Sequence, residues 1–138
     1  MHEYVKMLAT IAILITFSVT TGCAMTGKDL VRNNTVKVEK LSSKWGVVTY
    51  VSVVQEGDEV ALRGEVRRRP IGQGSIPGHI DIEILDSSGS TLKQMSIDYG
   101  RLSRKSRYAK FDAKLGIIPP SGSTIRVIHH DSDPHDPM

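Results

Sequence analysis

One cysteine stands alone in this 138-residue sequence. With no second thiol there is no intramolecular disulfide, so Cys23 pairs with another chain, stays free or is modified. No apolar run reaches the roughly 20 residues of a membrane-spanning helix, because Thr10, Thr16, Ser18, Thr20 and Thr21 dilute the one near the start. No helical periodicity follows that run. There is no Gly-x-Ser-x-Gly elbow and no pair of acids in a recognisable catalytic frame. Gly72, Gly74 and Gly78 superficially suggest a phosphate loop, but no helix follows to present its amides to an anion. These absences argue against an enzyme and imply no cofactor.

What is present begins with a leader. Lys6 precedes a charge-free stretch over residues 7–19, and the small residues Thr20, Thr21 and Gly22 lead into Cys23. That is the layout of a secretion signal. Gly22-Cys23 resembles the lipobox of bacterial lipoproteins, although Thr20 stands where Leu is usual. The resemblance implies a signal peptide over residues 1–22 and diacylation of Cys23, which becomes the new N-terminus. Two or more acyl chains anchor stably where one does not. Ala24 in second place, instead of the Asp that commonly signals inner-membrane retention, implies the periplasmic face of the outer membrane. Two alternatives stand beside this reading: ordinary cleavage after Ala24, giving a soluble exported protein, and an uncleaved anchor.

The formal net charge is +3, and the leader contributes nothing because Glu3 cancels Lys6. The positive charge is uneven. Residues 63–69 hold four Arg against one Glu, and residues 101–114 hold six basic residues against one Asp. A basic patch can mark nucleic-acid binding, but an exported protein rarely meets nucleic acid. Another envelope protein, anionic lipid or envelope polysaccharide is the expected class of partner.

Residues 23–35 are polar and aperiodic and read as a flexible tether. From Val36 the pattern has period two. Val36 and Val38 alternate with charges, and residues 45–54 are apolar on both phases, which suits a strand buried on both sides. Trp45 and Tyr50 occupy opposite phases of that strand, and Trp45 is expected to fill the core. After a turn at Gly57, residues Val60, Leu62 and Val66 face one way and Glu59, Arg63, Glu65 and Arg67 the other. Ile80, Ile82 and Ile84 make the next strand. Asp86-Ser87-Ser88-Gly89 suits a type I turn. In the strand over residues 91–99, Leu92 is out of phase with Met95, Ile97 and Tyr99, which predicts a bulge near Lys93 and Gln94. Ala109, Phe111, Ala113 and Leu115 line a further strand, and one over residues 125–129 closes the domain with Ile125 and Val127 inside.

Seven strands without a helix predict an all-β fold, an antiparallel seven-stranded immunoglobulin-like β-sandwich over residues 36–130, followed by a flexible tail over residues 131–138. Ile82-Glu83-Ile84-Leu85-Asp86 with the following Ser-Ser-Gly resembles the central strand and turn of FxLyD-type sandwich modules of bacterial envelope proteins. That resemblance implies the fold and carries no activity.

Two candidate sites follow. The basic loop residues Arg101, Arg104, Lys105 and Arg107, or an exposed sheet edge, would meet another envelope protein, making the chain a non-catalytic accessory module. The alternative is metal binding by the tail. Imidazole and carboxylate suit zinc, nickel or copper, and His130, Asp133 and His135 are the candidate ligands. His129 cannot join His130 on one ion while both lie on a strand, because neighbours point to opposite faces. His79, at a strand start, is expected to hydrogen-bond a neighbouring loop.

Overall fold

In the computed structural model the chain is described over residues 27–70, 76–100 and 106–131. Eight strands follow one another: β1 (Lys28–Asp29), β2 (Lys37–Leu41), β3 (Gly46–Glu56), β4 (Glu59–Arg68), β5 (His79–Leu85), β6 (Thr91–Ile97), β7 (Tyr108–Lys114) and β8 (Thr124–His130). They form two four-stranded sheets, β1-β3-β4-β7 and β2-β8-β5-β6. One apolar core joins them: Val60, Leu62, Val66 and Phe111 from the first sheet meet Ile80, Ile82, Ile84, Ile125 and Val127 from the second. The described residues contain no helix, so none is long and apolar enough to cross a membrane.

The all-β sandwich expected from the pattern is present, with two differences in its strands. The eighth strand is β1, inside the stretch that reads as a tether. Lys28 and Asp29 pair with Gln55 and Val54, and the Leu30 N–H donates to the Val53 carbonyl at 2.9 Å. Leu30 itself is buried in the core. Asp29 Oδ1 then accepts the N–H groups of Val31 and Arg32 at 3.0 and 2.9 Å, closing a local turn. β1 and Leu30 therefore belong to the sandwich, upstream of Val36. A two-residue bridge with one buried Leu needs no periodicity, so nothing periodic marks it in the sequence. The second difference is direction: β2 runs parallel to β8, while the other pairings are antiparallel.

β3 is apolar on both phases for a reason other than burial on both sides. Its register with β4 slips between Val48 and Tyr50, leaving Thr49 as the extra residue of a bulge. Before the bulge Gly46 and Val48 face the core; after it Val51 and Val53 do. One inserted residue switches the inward phase from even to odd positions. The bulge expected in β6 is also there, one residue earlier than predicted. Ile84 pairs with Lys93 and Leu85 with Thr91, so Leu92 is the residue left over, and it is exposed.

A β-turn forms at Asp86–Gly89, where the Gly89 N–H donates to the Asp86 carbonyl at 3.0 Å. Asp86 Oδ1 accepts from the Ser88 hydroxyl and from the N–H groups of Ser88 and Ser90, which lowers its pKa, the Ser88 side chain most of all. On the outer face of the second sheet, Arg126 bonds Glu39 and Glu83 at 3.1 Å each, tying β8 to both neighbours in one cross-strand row.

Candidate functional site

The register places one end of β2, β3, β4, β5, β6, β7 and β8 at a common pole, where β2, β4, β6 and β8 finish and β3, β5 and β7 begin. On the first-sheet side of this pole stand Lys44 before β3, Arg67 and Arg68 closing β4, Arg69 after it and Arg107 before β7. Arg67 lies opposite both Val47 and Tyr108, and the Arg107 carbonyl accepts the Arg68 N–H at 2.8 Å. Two arginine-rich runs far apart in sequence are thereby side by side, because antiparallel pairing puts the end of β4 against the start of β7. Arg69 Nε donates to the Ser43 carbonyl at 3.1 Å. Of the four loop residues named from the sequence, Arg107 is exposed here, while Arg101, Arg104 and Lys105 lie outside the described residues.

Trp45 belongs to this pole and not to the core. It precedes β3, is half-buried, and carries Lys44 Nζ 5.3 Å from its ring centre. Tyr50, on the same strand, is 59% exposed, so neither aromatic fills the core.

The second-sheet side of the pole is built around His129, which is buried on the inward phase of β8. Its Nδ1 lies 2.7 Å from Ser43 Oγ and its Nε2 3.3 Å from the Tyr99 hydroxyl, which donates to the Ile76 carbonyl at 2.8 Å. The Ser43 hydroxyl donates to the Asp131 carboxylate and accepts from the N–H groups of Trp45 and Gly46, each at 3.1 Å. His129 thus lies between two hydroxyls, Ser43 on its Nδ1 side and Tyr99 on its Nε2 side, each of which gives its own proton to another acceptor. Burial lowers the His129 pKa, with Asp131 opposing and His79 and His130 adding to the decrease. Ser, His and Asp are the residue types of a hydrolytic triad, but the order is wrong for one. The carboxylate orients the serine instead of the imidazole, the hydroxyl is already held by two backbone amides, and the imidazole has no access to solvent. The cluster is a clasp joining the β2–β3 turn, the approach to β5 and the end of β8.

Gly78 shows how tightly these segments meet. It has φ +116°, and a Cβ there would stand 1.9 Å from the His130 carbonyl oxygen. Sequence reasoning missed the clasp because its members, Ser43, Tyr99, His129 and Asp131, share no motif; the buried phase of His129 opposite Ile80 was the one available signal.

His130, on the other phase of β8, faces outward. Its Nε2 sits 3.2 Å from Asp81 Oδ2, and its ring stacks on that of His79 with centres 5.4 Å apart. His79 Nε2 is 3.4 Å from Asp81 Oδ1, so its side chain meets this carboxylate and not a loop. Asp133 and His135, the other two ligands named for a tail metal site, lie outside the described residues. Among the described residues no three His, Cys, Asp or Glu are placed to hold a metal ion.

Comparison with known proteins finds no family model that matches the chain, no similar curated protein and no similar solved structure.

Proposed function

We propose that the protein is a lipid-anchored, non-catalytic accessory module of the bacterial envelope, held through Cys23 at the periplasmic face of the outer membrane. Its basic pole meets an acidic surface of another envelope protein. The observation that carries this reading is the separation of entry and charge. The chain joins the sandwich at Lys28, opposite Gln55 and beside the β3–β4 turn, whereas Lys44, Arg67, Arg69 and Arg107 gather at the far pole. The 11 residues of β3 put about 35 Å between these ends. A domain anchored at one end thus presents its cations away from its own membrane, toward a partner across the gap.

Two measurements test it. Mass spectrometry of the mature N-terminal peptide is expected to show a diacylglyceryl Cys23; an unmodified N-terminus would remove the anchor from the reading. Crosslinking in cells from a photoreactive residue at position 107 is expected to give a defined envelope-protein adduct. The adduct should disappear with Arg67→Glu and weaken in high salt, since exposed charges are screened over about 8–10 Å at ordinary ionic strength. An adduct indifferent to both changes would refute the electrostatic contact.

A further inference from the structure

Tyr50 is outside the core because of the bulge at Thr49. Gly46 and Val48 face inward, so an unbroken β3 would turn Tyr50 inward as well. The extra residue instead aims the ring at solvent, where it is 59% exposed. The same residue sets the neighbouring carboxylate: Thr49 Oγ1 donates to the Glu65 carbonyl at 3.2 Å and lies 3.3 Å from Glu65 Oε1. Tyr50 lines an open groove of about 610 Å³ on the outer face of the first sheet. That volume falls within the usual range for small-ligand sites.

Cross-strand pairing organises the walls. Tyr50, Glu65 and Lys110 are directly opposite one another on β3, β4 and β7, and Gly100 bridges to Lys110 from beyond the edge. The next row holds Arg63 and Asp112, joined at 2.9 Å, with Asp98 at the rim. Three acids against two bases leave this groove near neutral, unlike the basic pole. The ligand it suits is therefore uncharged overall, with hydrogen-bond donors and acceptors around its edge and one flat apolar face for the ring. A pyranose has those properties: its axial C–H groups form an apolar face, and its hydroxyls both donate to carboxylates and accept from guanidinium or ammonium groups.

We infer that this groove is a saccharide-binding site, with Tyr50 as the stacking platform and Glu65, Asp112, Arg63 and Lys110 as hydroxyl partners. It lies on the outer face of the first sheet, one row along β4 from Arg67, and its ligand is independent of the contact proposed at the pole. Titration of the isotope-labelled domain with neutral β-1,4-linked tetrasaccharides (cellotetraose and N-acetylchitotetraose), followed by amide chemical shifts, is the test. Saturable shifts confined to residues 50, 63–65, 98–100 and 110–112 are expected, with Kd of about 0.1–5 mM. Tyr50→Ala should weaken binding at least about tenfold with an unchanged amide spectrum elsewhere, and Tyr50→Trp should retain it. Lys44→Glu, before β3 at the pole, should leave it unaltered. No shift at 10-fold the upper Kd, shifts that survive Tyr50→Ala, or equal shifts with an acidic peptide would overturn the assignment.

Discussion

The Phe111 ring occupies the place where a side chain of Gly64 would be. The two residues pair across β4 and β7, and a Cβ on Gly64 would stand 2.1 Å from Phe111 Cζ and 2.7 Å from the Tyr50 carbonyl oxygen. Both are buried, on the inward phase of their strands. Glycine's lack of a side chain lets one aromatic cover two positions of the core.

Gly64→Ala is accordingly expected to destabilise the domain by about 1–3 kcal/mol, since the ring must leave its place and the carbonyl cannot yield. Gly100→Ala makes the control. Its nearest neighbour, the Lys110 carbonyl oxygen, is 3.7 Å from the added carbon, so the change should stay within about 0.5 kcal/mol. Urea midpoints that move equally for both would show that Phe111 does not rest on Gly64.

Ile82 and Phe111 stand on opposite sheets of the same core. Truncating Ile82 to Ala should cost about 2–5 kcal/mol. Lys110→Ala, on the exposed phase beside Phe111, should cost less than about 0.5 kcal/mol. Similar losses in denaturant melts would mean that the strand phase is other than described.

His129 predicts a pH dependence. Its folded-state pKa is lowered from 6.5, so the unfolded chain binds more protons between the folded value and 6.5. Stability from this residue is complete above about 6.5 and declines as pH falls below it, levelling off once the folded state also protonates. Comparing wild type with His129→Gln, the fall in stability between pH 7.5 and pH 5 should be smaller in the variant. Parallel curves would show that the imidazole is not held neutral by burial.

The C-terminal boundary is testable by truncation. A chain ending at Asp131 keeps the Ser43–Asp131 and Ser43–His129 contacts and should melt like the full domain. One ending at Ile128 loses the buried His129 and the β8 pairings of residues 129 and 130 with Ile80 and His79. It should lose roughly 3 kcal/mol or more. Equal stability of the two would place the end of the domain earlier than β8 does.

Alternation alone determined much of this protein. Val60, Leu62 and Val66 against Arg63 and Glu65, or Ile80, Ile82 and Ile84 against Asp81 and Glu83, announce half-buried strands because a strand's side chains alternate with period two. Asp86 and Gly89 announce their turn because the local chain supplies its hydrogen bonds. What only the tertiary structure decided rests on contacts between distant residues. The bulge at Thr49 exists because β4 pairs Val66 with Val48 but Glu65 with Tyr50, and no local rule places the slip. Leu30 is buried because it docks beside β3. Arg68 meets Arg107, and Ser43 meets His129 and Asp131, through pairings of high sequence separation. Local pattern chooses which residues face inward; which inward and outward faces meet, and so which side chains form a site, is settled by packing two whole sheets together.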